Sequence, residues 1–223
     1  MKPVFNSIKI TLTDKASLYS SKVGGDFISD TPPGAFLAQI NLAEIPWHVF
    51  ELPPKRLYMP IKGWLQFFIG DDPELGLNWP DRKGGTVRYL PELVGEVHQS
   101  NYENTPVLKE CGMSFENTYE HLSFGDYRFK KTERWKSATE EERDRLVYER
   151  DGSGSKLLGY PAFTQYDPRE KSEFQKYDTL LFQLDSERGK VMWGDMGIAN
   201  FFIPHEKLEN WDFSDVLYTW DCC

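Results

Sequence analysis

Cysteine is scarce in this sequence: Cys111, Cys222 and Cys223 are three residues in 223. They are too few and too unevenly placed for a disulfide framework, which points to a fold held by its core in a reducing compartment. Long apolar runs are missing as well. The longest, such as Phe67 to Ile69 and Leu180 to Phe182, fall far short of the roughly 20 residues a membrane helix needs. Residues Met1 to Ser7 lack the apolar stretch of a secretory signal. Positive charge is in deficit, 26 basic against 35 acidic side chains for a net charge of -9. That balance repels phosphate backbones and anionic lipid and shows no obvious basic stripe for either. These absences predict a cytoplasmic protein with no membrane and no nucleic acid among its partners.

The motifs of common chemistries are also absent. No Gly-x-Ser-x-Gly elbow presents a nucleophile, and Ser153 lies in a Gly-Ser-Gly linker, where a nucleophile would not be rigid. The Cys222-Cys223 pair stands at a chain terminus, usually mobile, with no basic residue nearby to lower a thiol pKa. His48, His98, His121 and His205 are scattered without the close pairing of zinc ligands. The loop Gly70-Asp71-Asp72-Pro73-Glu74 has hard oxygens but not the spacing of a calcium loop, so it reads as a solvated turn. Gly24-Gly25 and Gly84-Gly85 do not belong to a phosphate-binding pattern and read as turns needing positive φ. No catalytic residue, metal or cofactor is therefore assigned.

What is present is a core-forming composition, 39% hydrophobic and 15% aromatic, and an internal repeat. Four blocks of residues 24 to 89 recur in order within residues 159 to 218. Gly24-Gly25-Asp26-Phe27 corresponds to Gly159-Tyr160-Pro161-Ala162-Phe163, and Phe36-Leu37-Ala38-Gln39-Ile40-Asn41 to Leu180-Leu181-Phe182-Gln183-Leu184-Asp185. Gly63-Trp64-Leu65-Gln66-Phe67-Phe68-Ile69 corresponds to Gly197-Ile198-Ala199-Asn200-Phe201-Phe202-Ile203, and Val87-Arg88-Tyr89 to Val216-Leu217-Tyr218. The pattern predicts one globular domain over 1–223 with an internal duplication. Copy one covers about 20–90, copy two about 156–220, and a helix-containing connection 91–155. Alternation of Ile8, Ile10 and Leu12 predicts an early strand. Thr139 and Glu142 predict a capping box opening a helix over 139–150, and Pro204 a short helix over 205–210. Asn41 predicts a cap on a turn at 42–45, and Asp151-Gly152-Ser153-Gly154-Ser155 a flexible connector. With short strands elsewhere, the fold class is α+β, mainly antiparallel sheet with few helices, its two copies related by a pseudo-two-fold.

Five segments carry a family resemblance: Ser21-Lys22-Val23-Gly24-Gly25, Phe36 to Leu42, Lys156-Leu157-Leu158-Gly159-Tyr160-Pro161, Met192-Trp193-Gly194-Asp195, and Trp220-Asp221-Cys222-Cys223. On these residues the sequence resembles the bacterial YwqG-like family, from about residue 20 to the C-terminus. The resemblance implies an intracellular, two-copy α+β fold with no established activity and no obligatory cofactor, among relatives found near toxin and immunity systems. The chain departs from the family pattern between Gly25 and the next strand, where Ser29 to Pro33 replaces a longer loop with a Trp-Pro pair. No site is assigned to that loop.

The polar residues on the repeated strands form the candidate binding cleft. Gln39 with Asn41, and Gln183 with Asp185, lie on one face of each strand because strand side chains alternate with period two. Buried, they must find hydrogen-bond partners, and pairing across the pseudo-two-fold satisfies both copies. Trp193 and Asp195 add an aromatic and a carboxylate beside the second pair, with core packing of Trp193 as the plainer reading. The leading expectation is a non-enzymatic binding or protein-interaction module, immunity-like, with another protein as partner. The alternative is a small hydrolase using Asp185, Asp195 or Asp221 in a cleft between the halves.

Overall fold

The computed structural model describes residues 4–46, 59–77 and 83–223. Its strands are β1 (Val4–Thr13), β2 (Lys22–Val23), β3 (Phe27–Ser29), β4 (Ala35–Asn41), β5 (Trp64–Ile69), β6 (Gly85–Leu90), β7 (Glu96–His98), β8 (Cys111–His121), β9 (Lys156–Leu158), β10 (Thr179–Asp185), β11 (Ile198–Ile203) and β12 (Leu217–Asp221). Among the described residues three short α-helices accompany them: α1 (Glu133–Lys136), α2 (Glu140–Glu149) and α3 (His205–Glu209). The fold is mostly antiparallel sheet with few helices, broadly α+β. Ten strands form one sheet in the order β12-β11-β10-β9-β1-β8-β2-β4-β5-β6, while β3 and β7 pair separately.

The ten-stranded sheet curls into a nearly closed barrel, bringing its end strands β6 and β12 into contact. Gly85 explains how close they come: a Cβ there would lie 2.5 Å from the Cβ of Tyr218. Neither Gly84 nor Gly85 has the positive φ expected of a turn glycine; both are small because another chain segment passes against them. Gly24 and Gly25 do take the left-handed conformation, at φ 59° and 74°.

Strand alternation fills the interior. Phe67 faces Ala38 and Val87 across its neighbours, and Phe201 faces Phe182 and Tyr218, so these side chains share the inner face. Inside the barrel the rings of Phe67 and Phe182 lie 4.6 Å apart, Phe67 and Phe201 5.3 Å, and Phe201 and Tyr218 4.8 Å. Only one phenylalanine of each Phe-Phe-Ile run joins this shared core. Period two turns the other outward: Phe68 packs with Phe27 and Phe36, and Phe202 with Tyr177, Leu180 and Leu217. Each buried ring contributes roughly 1.5–3 kcal/mol.

The local signals behaved as their chemistry requires. The Thr139–Glu142 capping box is formed at the start of α2, α3 begins after Pro204, and the Asn41 side chain accepts the Ala43 N–H at a 3-10 turn over Leu42–Glu44. In the Gly70–Glu74 turn, the Asp72 carboxylate accepts the N–H groups of Glu74 and Gly76.

Three features differ from expectation. The segment between the repeats carries β8, which pairs with β1 over ten positions at the middle of the sheet. The Asp151–Ser155 connector is pinned: Gln183 Nε2 donates to the carbonyls of Gly152 and Gly154, and Gly154 N–H donates to Asp185. The C-terminus is held too, because Asp221 accepts the N–H groups of Thr164 and Gln165 while Gln165 Nε2 donates to the Cys222 carbonyl.

Candidate functional site

Among the six residues of the sequence-derived cleft, four sit on β4 and β10. Gln39 and Gln183 are fully buried. Both lie on the outer face of the sheet, because their register partners Gln66 and Asn200 alternate with the inward Phe67 and Phe201. Gln39 Nε2 donates to the carbonyls of Leu18 and Ser20 at 2.8 and 2.9 Å. Gln183 holds Gly152 and Gly154 in the same way, and its Oε1 accepts the Ala162 N–H at 2.7 Å. Each glutamine therefore clamps a loop of its own segment. The expected pairing across the two halves is not made: each Nε2 is taken by two loop carbonyls, and the buried Gln39 Oε1 has no hydrogen-bond partner.

Asn41 donates to the Tyr19 carbonyl and caps the 3-10 turn. Asp185 accepts Gly154 N–H at 2.7 Å, and burial pushes its carboxyl above the usual range, with the Asp151 charge adding to the rise. Trp193 has no exposed surface and packs on Tyr218 and Trp220, whereas Asp195 is exposed. Among the described residues no hydrogen bond or ion pair joins Asp185, Asp195 and Asp221. No group of three or more His, Cys, Asp or Glu side chains placed to hold a metal occurs among the described residues either. His48 lies outside the described residues.

A groove lies elsewhere among the described residues, at the seam where the barrel nearly closes. It measures about 680 Å³ and is lined by Asp30, Arg88, Tyr89, Trp211, Asp212 and Phe213, among others. No backbone hydrogen bond joins β6 to β12 among the described residues. The floor comes from β6 and the wall from the loop after α3. That loop is a Schellman turn, with Asp212 N–H bonded to the Lys207 carbonyl at 2.9 Å and Trp211 N–H to Leu208 at 3.1 Å. Such turns place glycine at the left-handed position. Here it is Trp211, at φ 56°, a conformation that costs a non-glycine residue roughly 1–2 kcal/mol.

The strained tryptophan is not hidden: it is 46% exposed and meets Tyr89 edge to face at 5.7 Å. Around it charges are paired and fixed. Arg88 Nη1 lies 3.2 Å from Asp30 Oδ1, and its guanidinium rests over the Phe68 ring at 5.8 Å. Lys207 sits 2.6 Å from Asp212 Oδ2. Hydrogen bonds from Lys207 and Ser214 bring the Asp212 carboxyl down to about 2. The groove thus offers an aromatic wall, an open strand edge and paired charges at its rim. Nothing in the sequence marks it, because its walls come from segments more than a hundred residues apart. Trp211, in the place after α3 where glycine is the default, is distinguished only by its φ.

The architecture defines a mostly antiparallel, nearly closed barrel-like sheet with a peripheral groove, and no helix among the described residues is long and apolar enough to cross a membrane. The profile of a domain of unknown function, DUF1963, matches residues 23–222, and the chain belongs to that family. No curated protein matches the sequence.

Proposed function

We propose that this chain is a cytoplasmic, non-enzymatic protein-interaction module, and that the groove beside β6 is its contact surface. The observation that carries the reading is Trp211, a large aromatic kept exposed in a backbone conformation that glycine would adopt without strain. Strain of this kind persists where something other than stability maintains it. Tryptophan, tyrosine and arginine are the side chains that anchor interfaces, and Trp211, Tyr89 and Arg88 all line this groove. The net charge favours a basic partner through electrostatic steering, as in immunity-like proteins.

The test is a pull-down from a lysate of the source organism at low and high salt, comparing wild type with Trp211→Ala and identifying bound proteins by mass spectrometry. A basic protein retained by the wild type, released by salt and lost with Trp211→Ala is expected. Equal retention by both, or no retained protein, overturns the reading.

We also infer that the sheet arose by duplication, with a pseudo-two-fold between β1 and β8 near the Thr11–Ser114 pair, and that the chain lies among the YwqG-like members of its family. Supporting this, the strand order has matching elements on either side of β1 and β8. A register shift between Phe36 and Ala38 recurs between Leu180 and Phe182. Lys22 donates to the Asp26 carbonyl and Glu110, and Lys156 to the Tyr160 carbonyl and Glu120. Gly24 and Gly25 at φ 59° and 74° are matched by Leu158 and Gly159 at 60° and 79°. By this geometry the last repeat block shifts by two residues, Val87 matching Tyr218. Superposition of residues 18–90 on 152–221 in an experimental structure tests the inference; strands that fail to overlay in order refute it.

A further inference from the structure

The bulk acidity of the chain conceals a basic knob. From Arg128 to Lys136, nine positions hold five basic residues and one acidic residue, in a chain whose net charge is -9. These positions form the 3-10 turn Phe129–Lys131 and α1, standing on a small aromatic platform. The rings of Phe124, Phe129 and Trp135 lie 5.6–5.8 Å from one another. The cations are fixed on it: Lys130 sits 5.1 Å above the Phe124 ring, Lys131 4.8 Å above Tyr127, and Arg143 5.2 Å above Trp135.

Their charges are not neutralised. Arg128 is committed to the buried Asp126, and Lys136 pairs with Glu133, but Lys130, Lys131, Arg134 and Arg150 have no ion-pair partner among the described residues. Lys130, Lys131 and Arg134 are exposed. Burial, and then the neighbouring charge of Arg134, press the Arg150 guanidinium below its ordinary value. Like charges are thus held together, with the Glu149 carboxylate offsetting only part of the charge at Arg150. A cavity of about 180 Å³ between α1 and α2 opens beside them, with Arg134 and Arg145 in its lining. The one acid in its lining, Glu142, is occupied by Thr139 in the capping box, and Arg145 has only a long, half-exposed contact to Glu149 at 3.8 Å.

We propose that this knob is a second docking surface, which takes an acidic segment of a protein partner and seats a carboxylate between Arg134 and Arg145. Charge complementarity carries the assignment, and the aromatic platform lowers the ordering cost of binding. A nucleic acid is the less favoured occupant. Its long polyphosphate would run past the acidic remainder of the chain, whereas a short acidic segment need touch only the knob. The surface is separate in sequence and side chains from the seam groove.

The test is fluorescence anisotropy with a labelled glutamate-rich peptide and, in parallel, a single-stranded oligonucleotide of equal charge, at low and at physiological ionic strength. The proteins are wild type, the triple variant Lys130→Gln, Lys131→Gln, Arg134→Gln, its charge-reversed Glu counterpart, and Trp211→Ala, each checked for an unchanged circular dichroism spectrum. Wild type is expected to bind the peptide at low ionic strength and less well as salt rises. The neutral variant should bind about tenfold more weakly and the reversed variant not at all, while Trp211→Ala binds as wild type does. The proposal is overturned if wild type does not bind the peptide, if the neutral variant binds it equally well, or if the oligonucleotide binds more tightly through the same three residues.

Discussion

Replacing Arg169 by methionine should remove a large part of this protein's stability, although Arg169 touches neither candidate surface. Its guanidinium is fully buried and bonded on every side. Nε and Nη2 grip Asp167 at 2.9 and 2.7 Å, Nη2 also reaches Asp126 at 3.1 Å, and Nη1 donates to the Tyr177 carbonyl. Its plane rests 4.0 Å over the Phe202 ring. Methionine keeps the packing on Phe202 and removes the charge. Asp126 retains Arg128, at 2.6 and 2.7 Å, but Asp167 keeps only the backbone N–H groups of Tyr127 and residue 169 and becomes a buried charge without a cation. Breaking a buried pair in this way costs about 3–5 kcal/mol, against a total stability of roughly 5–15 kcal/mol. Adding Asp167→Asn removes the stranded charge and should recover more than half of the loss. Urea unfolding followed by tryptophan fluorescence measures both. A single variant that loses less than about 1 kcal/mol, or a double variant no more stable than the single, refutes the reasoning.

Four further outcomes follow from the same geometry. Burial pushes the Asp126 carboxyl up, but Arg128 and Arg169 outweigh it and hold it below the ordinary range; its contribution is full above the unfolded value of about 3.9 and is lost as pH falls through the folded value, so acid unfolding should begin below about pH 4 and earlier with Arg128→Met. Asp185 has the opposite sign, since its raised carboxyl favours folding at low pH and opposes it as pH rises through the folded value; Asp185→Asn, whose side-chain oxygen can still accept Gly154 N–H, should raise the Tm at pH 7 and leave it unchanged at pH 3. Gln183→Leu should cost about 3 kcal/mol and Gln39→Leu about 1 kcal/mol less, because Gln183 makes three bonds and Gln39 two; equal losses in urea would sink that distinction. Gly25→Ala should lose at least about 1 kcal/mol, since φ is 74° and the new Cβ would meet the Glu110 carboxylate at 1.9 Å.

Most of the fold was legible wherever a residue acts on its own neighbours. Thr139 and Glu142 cap a helix through contacts three residues apart, and Pro204 and Asn41 act within one turn, so sequence order and spatial order coincide. The recurrent Phe-Phe-Ile runs were legible as strands for the same reason. Which phenylalanine enters the shared core was not legible from the runs alone; period two sends Phe67 inward and Phe68 outward. The connector at 151–155 has the composition of a flexible linker, but that composition also leaves its carbonyls free. Gln183, thirty residues away in sequence, takes two of them. Flexibility was read from local chemistry and removed by a distant side chain.

The candidate sites were less legible because each depends on where segments meet. Gln39, Asn41, Gln183 and Asp185 looked functional as polar residues on apolar strands. The buried amides of Gln39 and Gln183 bind loops that cover the outer face of the barrel. A sequence cannot distinguish a polar side chain that awaits a ligand from one that fastens a loop, since both must be spared from the apolar alternation. The seam groove presents the reverse case. Arg88 and Tyr89 read as ordinary strand residues until the sheet curls far enough for β6 to approach β12, and Trp211 as an ordinary residue after a helix until its φ is known. Curvature of the sheet thus creates the groove and strain identifies its anchor, so the residues worth changing first are those whose conformation stability alone does not explain.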